Sequence, residues 1–142
     1  MTVKIYIHHT IHAPKAKSGA YAYILEADMS GKVATLSKTG VLEDTKYNKA
    51  ELEIVLKALK RLNKPCEVTI VGLSNYTING VNKWLQEWAL NGFRNAQGKD
   101  IANREEWQQV YEYTKMHKIK PVGICQHEYL YWMQEEVKNA LL

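Results

Sequence analysis

The sequence predicts an α/β domain in which a mixed β-sheet of about five strands carries helices packed on it. Residues 3–38 contain three strand-like segments separated by a loop and a turn, residues 52–59 place apolar side chains at helical spacing, and residues 67–73 form a short apolar run. A strand that follows an earlier strand through a helix usually pairs with it in parallel. We therefore expect a mixed sheet whose first three strands are antiparallel.

The N-terminal segment predicts a meander of three strands. In the first strand, Val3, Ile5 and Ile7 alternate with polar neighbours. A loop through residues 14–18 follows, and the second strand is predicted at residues 19–27. Gly31 marks the turn into a third strand at residues 32–38.

The next elements are predicted to be a helix and a buried strand. The apolar stripe of the helix consists of Leu52, Val55, Leu56 and Leu59. Asn48 and Glu51 have the spacing of a capping box at its start. The apolar run Glu67–Leu73 is typical of a strand buried on both faces, as in parallel pairing.

The remaining chain predicts two helices, a strand and a last helix. The apolar residues of the first of these helices are Ile78, Val81, Leu85 and Trp88, and Gly92 ends it. A polar loop leads to a helix over Arg104–Met116. Residues 119–125 predict a strand, in which Pro121 favours an edge position. Residues 129–142 form the last predicted helix.

Length and composition indicate a single globular domain over residues 1–142, with 46% hydrophobic and 24% charged residues. No apolar stretch is long enough to span a membrane, so we expect no membrane partner. Cys66 and Cys125 form neither a disulfide framework nor a metal-ligand pair by spacing, which favours the reducing cytoplasm. The net charge of +4 is compatible with a polyanionic partner.

Four strings resemble the ribonuclease H family, in the family's order and at its spacing. KYNKAEL (46–52) resembles the segment that opens the family's first helix, and CEVTIVGLSNY (66–76) resembles its fourth strand. GVNKWLQEWALNGFRN (80–95) is similar to the second helix and the loop after it, and IANREEWQQV (101–110) to the start of the next helix. The resemblance implies a ribonuclease H-like fold over nearly the whole chain.

The resemblance also implies a catalytic centre, in which the family cleaves the RNA strand of RNA–DNA hybrids with two divalent cations held by four carboxylates. Of these positions only Glu51 keeps a carboxylate. His8 stands at the first aspartate, Leu73 at the second and Gln134 at the last. We therefore expect no resident cofactor and no magnesium-dependent hydrolysis. Whether the chain is an enzyme of another kind stays open.

Two alternatives for this centre remain. His127 matches the family's mobile-loop histidine. In the first alternative, His8, Glu51 and His127 together bind manganese, iron or zinc, and the chain is a metal-dependent nuclease with a rebuilt site. Alternatively, Glu51 serves only the capping box and His8 only fills the pocket.

The family's substrate groove is better preserved than its catalytic centre. Matching or neighbouring residues predicted to bind nucleic acid are Lys46, Asn48, Lys49, Ser74, Asn75, Phe93 and Arg94. Short polar side chains suit ribose hydroxyls and base edges, and lysines suit phosphates. We expect a module that binds an RNA–DNA hybrid or RNA duplex, and a protein-interaction domain is the further alternative.

Overall fold

The computed structural model describes residues 1–12 and 17–142. Its strands are β1 (Thr2–His9), β2 (Lys17–Met29), β3 (Lys32–Thr45), β4 (Glu67–Leu73) and β5 (Lys118–Gly123). Residues 14–16 of the predicted loop lie outside the described residues, and the last two residues of that loop already belong to β2.

The five strands form one mixed sheet in the order β3-β2-β1-β4-β5. β1 pairs antiparallel with β2, and β2 pairs antiparallel with β3. β4 lies parallel to β1 and β5 parallel to β4. The predicted fold class is confirmed, and so is the edge position of the strand that contains Pro121.

β3 is longer than predicted and continues to Thr45. In the added part Tyr21 of β2 lies opposite Gly40 of β3. A Cβ atom at Gly40 would lie 2.6 Å from the Tyr21 hydroxyl oxygen, so glycine lets the ring lie across the neighbouring strand. The interruption of the apolar alternation at Gly40 explains why the end of this strand was not predicted.

The helices are α1 (Tyr47–Leu59), α2 (Asn75–Asn79), α3 (Leu85–Leu90), α4 (Arg104–Met116) and α5 (Leu130–Ala140), and a π-helical segment, Gly80–Trp84, joins α2 to α3. Among residues 1–12 and 17–142, no helix is both long and apolar enough to cross a membrane.

The predicted capping box at α1 is wrong. Lys46 is the N-cap residue and makes no side-chain capping bond. Glu51 therefore lies more than one turn inside the helix, too far along it to reach back to the N-cap amide. Its side chain is on the buried face of α1, which directs the carboxylate into the domain.

Helices cover both faces of the sheet. On one face, Val3, Ile5 and Ile7 pack in a cluster with apolar residues of α1, including Ile54 and Leu59. On the other face, the cluster contains Tyr6, Ala22 and Ile24 of the sheet with Met133 and Val137 of α5. A third cluster joins α1, α3 and α4 and includes Leu52, Leu85 and Trp107. The carboxyl ends of β1 and β4 are therefore packed beside α1.

Candidate functional site

The predicted catalytic positions come together at the carboxyl ends of the central parallel strands. His8 lies near the end of β1, Leu73 is the last residue of β4, and Glu51 faces them from α1. In open α/β sheets this end of the strands is the usual place for a ligand.

Glu51 is completely buried, with 0% of its surface exposed. Its Oε1 atom accepts a hydrogen bond of 2.6 Å from the backbone amide of Ser74, while Oε2 has no hydrogen-bond partner among the residues that the structure describes. Burial raises the pKa of Glu51, and hydrogen bonding from Ser74 opposes that rise. Glu51 therefore acts as a structural acceptor that joins α1 to the residues after β4.

Leu73 takes up the interior side of the same end of β4. It is 2% exposed and belongs to the apolar cluster that contains Ile7 and Ile54. The strand is irregular between Val71 and Leu73, where Gly72 has a φ of +103°. A Cβ at Gly72 would lie 2.6 Å from the carbonyl oxygen of Ile7, so this position requires glycine. The irregularity sets the direction in which Leu73 and Ser74 leave the sheet.

A cavity of about 180 Å³ opens at the end of β1. Its lining includes His8, His127 and Gln134, so the structure brings these three predicted site residues together. Glu51 and Leu73 are not part of the lining. The other polar side chains of the wall are His9, His12, Tyr47 and Cys125.

The histidines of this cavity are biased toward the neutral form. Burial lowers the pKa of His8, and the neighbouring imidazoles of His12 and His127 add to that effect. Burial lowers the pKa of His127, and Glu128 opposes this. The pKa of His9 falls to about 4, chiefly because of burial, and its Nδ1 accepts a hydrogen bond from the amide of Ile11.

The alternative metal-ligand set is not assembled. Within the part of the chain that the structure describes, no three His, Cys, Asp or Glu side chains are arranged to hold a metal ion. His8 and His127 share the cavity, but the carboxylate of Glu51 is directed to Ser74 instead.

A second depression, a cleft of about 710 Å³, lies beside the start of α1. It is lined by three of the residues predicted to bind nucleic acid, Lys46, Asn48 and Lys49. His12, Asp44, Tyr47, Ala102 and Asn103 complete the wall. We refer to this depression as the lysine cleft. His12 and Tyr47 line both the lysine cleft and the cavity at the end of β1, so the two depressions are adjacent.

The other predicted nucleic-acid-binding residues occupy different positions. Ser74 is the N-cap of α2, where its hydroxyl accepts from the Thr77 amide, and Asn75 is exposed next to it. Arg94 is exposed and donates to the carbonyl of Gly98. The side chain of Phe93 is only 8% exposed and packs against Tyr111, so a role in contacting nucleic acid does not fit its position.

Several residues that line the two depressions were not identified as site residues from the sequence, among them Tyr47, Asn103, His9 and His12. Tyr47 and Asn103 carry no motif of their own, and they reach the lysine cleft only through the packing of α1 and α4. His9 and His12 were visible as neighbours of His8. Alternation along β1 places His8 and His9 on opposite faces, but both reach the cavity because it lies where the strand ends.

Residues 9–130 match the family model for RNase H. A ribonuclease H from Francisella philomiragia is 36% identical over 81 residues, which cover 57% of this chain and 53% of the relative. The match thus spans about half the length of this curated relative.

Solved structures of low sequence identity share the fold. LC9-RNase H1, a type 1 RNase H with the type 2 active-site motif, has a TM-score of 0.72 at 17% identity, covering 97% of this chain and 69% of that one. LC11-RNase H1, solved in complex with an RNA/DNA hybrid, has a TM-score of 0.63 at 15% identity, covering 98% of this chain and 96% of the other.

Proposed function

The chain belongs to the ribonuclease H family, and we propose that it binds an RNA–DNA hybrid or RNA duplex without magnesium-dependent hydrolysis. The observation that carries this proposal is the state of Glu51. The one carboxylate retained at the family's metal-binding positions is buried and accepts a hydrogen bond from the Ser74 amide.

The residues at the metal positions do not fit two magnesium ions. Magnesium prefers hard, anionic oxygen ligands in octahedral geometry. Two such ions about 4 Å apart need several carboxylates to offset their charge. Leu73 offers no ligand atom, Gln134 offers an uncharged amide and His8 an imidazole. Glu51 has one oxygen engaged by Ser74 and the other buried in the interior.

The nucleic-acid groove is supported by the arrangement of polar and basic side chains. Lys46 and Lys49 flank Asn48 in the lysine cleft, where they would contact backbone phosphates. Glu51, one turn beyond Asn48 on α1, fixes the backbone of Ser74 beside Asn75. This contact holds Ser74 and Asn75 against α1, and we expect a bound duplex to contact both these residues and the lysine cleft.

The side chains of these residues favour a duplex that contains RNA. Short polar side chains such as Asn48, Ser74 and Asn75 suit the wide minor groove of an A-form helix, where ribose hydroxyls and base edges are displayed. LC11-RNase H1, which shares the fold, was solved with such a hybrid.

Fluorescence anisotropy with three labelled duplexes of one sequence tests the proposal. We expect the RNA–DNA hybrid and the RNA duplex to bind more tightly than the DNA duplex, because DNA lacks the ribose hydroxyls. Affinity should fall steeply between two salt concentrations, because bound lysines release counterions from phosphates. Equal, weak binding to all three duplexes would contradict the proposal and favour a protein-interaction domain.

A further inference from the structure

Four of the five histidines in this chain line a single cavity. They are His8, His9, His12 and His127, which come from the end of β1, the residues after it and the segment before α5. The lining that the structure describes contains no lysine, arginine, aspartate or glutamate. The charge of this cavity therefore depends on how many of its imidazoles are protonated.

The cavity is lined by two of the four residues that stand at the family's metal-binding positions. His8 and Gln134 stand at positions of the family's carboxylates, and both line the wall. A nucleic-acid backbone that follows the lysine cleft reaches this cavity next, because His12 and Tyr47 form part of both walls. A phosphate at this point needs positive charge or hydrogen-bond donors to replace its water.

We propose that this histidine-lined cavity binds a phosphate group, with imidazolium groups providing the positive charge that metal ions provide in the family. The proposal rests on the proposed function in one respect, because it takes the natural source of the phosphate to be the backbone of a bound hybrid or duplex. An imidazolium donates from both ring nitrogens and carries a full charge, so it both orients and neutralises a phosphate oxygen.

Other titratable groups around the cavity leave this role chiefly to His8 and His127. The pKa of His9 is about 4, so His9 stays neutral near neutral pH. Burial raises the pKa of Tyr47, with the nearby charge of Glu51 adding to the rise, so the phenol stays protonated. Cys125 is an exposed free thiol. Glu128, outside the lining, favours the protonated form of His127.

Binding of an anion to protonated imidazoles must be linked to proton uptake. The pKa values of His8 and His127 are lowered in the free protein, chiefly by burial. A bound phosphate stabilises the charged form and so raises them again. The affinity for phosphate therefore rises as the pH falls below neutrality, and each added imidazolium strengthens binding roughly fivefold.

Two matched variants isolate this effect. His8→Asn and His127→Asn, combined in one protein, remove two ionisable rings. Asparagine at position 127 can still accept the hydrogen bond that the backbone amide of Tyr129 donates to Nδ1 of His127. His117→Asn is the control. His117 lies at the other end of the sheet, and its Nδ1 accepts from the amide of Cys66, a bond that an asparagine oxygen can also accept.

The first experiment follows the imidazole resonances by NMR from about pH 5 to pH 8, a range in which histidine titrates, with and without sodium sulfate at constant ionic strength. Sulfate keeps its charge over this range and is the probe for a free anion. We expect it to raise the titration midpoints of His8 and His127 and to leave that of His117 unchanged. The proposal would be overturned if sulfate left the titration midpoints of His8 and His127 unchanged, or if these resonances responded to zinc ions and not to sulfate.

The second experiment measures the affinity for a labelled RNA–DNA hybrid at about pH 5.5 and pH 8. Wild type and the His117→Asn control should bind more tightly at the lower pH, while the double variant should lose most of that gain. A double variant that keeps the full gain would contradict the proposal. If sulfate shifts the titration midpoints but the hybrid binds at neither pH, the anion site is supported and the proposed function is refuted.

Discussion

The Oε1 atom of Glu51 lies 2.6 Å from the backbone nitrogen of Ser74 and accepts its hydrogen bond. This contact joins the second turn of α1 to the first residue after β4, two segments that are 23 residues apart in the sequence. It also explains how a lone carboxylate is retained in a fully buried position. Without it, the amide of Ser74 would have no acceptor and the junction between β4 and α2 would be free to shift.

We predict that Glu51→Ala lowers the free energy of unfolding by about 2 kcal/mol, because it leaves the partly buried Ser74 amide without an acceptor. Glu51→Gln should cost less, since its amide oxygen can accept the same bond. Urea unfolding of the two variants and wild type measures the difference. Manganese should change none of the three curves. A wild-type protein that manganese alone stabilises would show that Glu51 is a metal ligand.

His9 should make the protein sensitive to acid. Its pKa of about 4 lies below the usual value for histidine, so the folded state binds this proton less readily than the unfolded state. The stabilisation is present above about pH 6.5 and is lost as the pH falls toward 4. The loss is at most about 3.5 kcal/mol, because one pKa unit corresponds to about 1.4 kcal/mol.

The matching variant is His9→Asn, whose side-chain oxygen can accept the bond from Ile11 that Nδ1 now accepts. We expect the variant to lose less stability than wild type between neutral pH and about pH 4.5. Chemical denaturation at a series of pH values checks this. Parallel pH profiles for the two proteins would show that His9 does not titrate in this way.

Leu73 provides a prediction about the metal site. Replacing it with aspartate restores a carboxylate at the family's position but places a charge where the side chain is 2% exposed. We expect Leu73→Asp to destabilise the fold by about 3 kcal/mol or more. We also expect no magnesium-dependent cleavage, since His8 and Gln134 still lack carboxylates. Leu73→Asn is the uncharged control for the stability measurement, and cleavage by the aspartate variant would show that one residue had disabled the site.

The lysine cleft can be tested through salt dependence. Lys49→Gln should weaken the binding of hybrid, RNA duplex and DNA duplex alike. It should also reduce, by about one, the slope of the logarithm of the binding constant against the logarithm of the salt concentration. Asn75→Ala should instead reduce the ratio between the affinity for RNA-containing duplexes and the affinity for the DNA duplex. Lys4→Gln, at the amino end of β1 and away from the cleft, is the charge-matched control. A Lys4 variant as weak as the Lys49 variant would mean that binding follows net charge alone.

The architecture was predictable because the sheet and its helices have clear periodicities. Glu67–Leu73 and Arg104–Met116 have the predicted boundaries, and Pro121 lies on the predicted edge strand. The length of β3 was not predictable, since Gly40 interrupts its pattern and is explained only by the ring of Tyr21 across the sheet. Local patterns do not reveal such cross-strand contacts.

The candidate site was predictable only in part. Its positions followed from the resemblance, and His8, His127 and Gln134 do meet in one cavity. The role of Glu51 was mispredicted because Asn48 has capping-box spacing, whereas the helix begins at Tyr47 and turns the carboxylate inward. Its partner, the Ser74 amide, is a backbone group that no residue type in the sequence indicates.

Incubation of the pure protein with a labelled RNA–DNA hybrid in magnesium, then in manganese, tests the central claim most directly. Binding and cleavage should be measured on the same samples. The account predicts a stable complex whose RNA strand stays intact in magnesium, with wild type and Glu51→Gln indistinguishable in this respect. Magnesium-dependent cleavage by wild type that Glu51→Gln abolishes would contradict it, because Glu51 would then be a metal ligand and the protein an active nuclease.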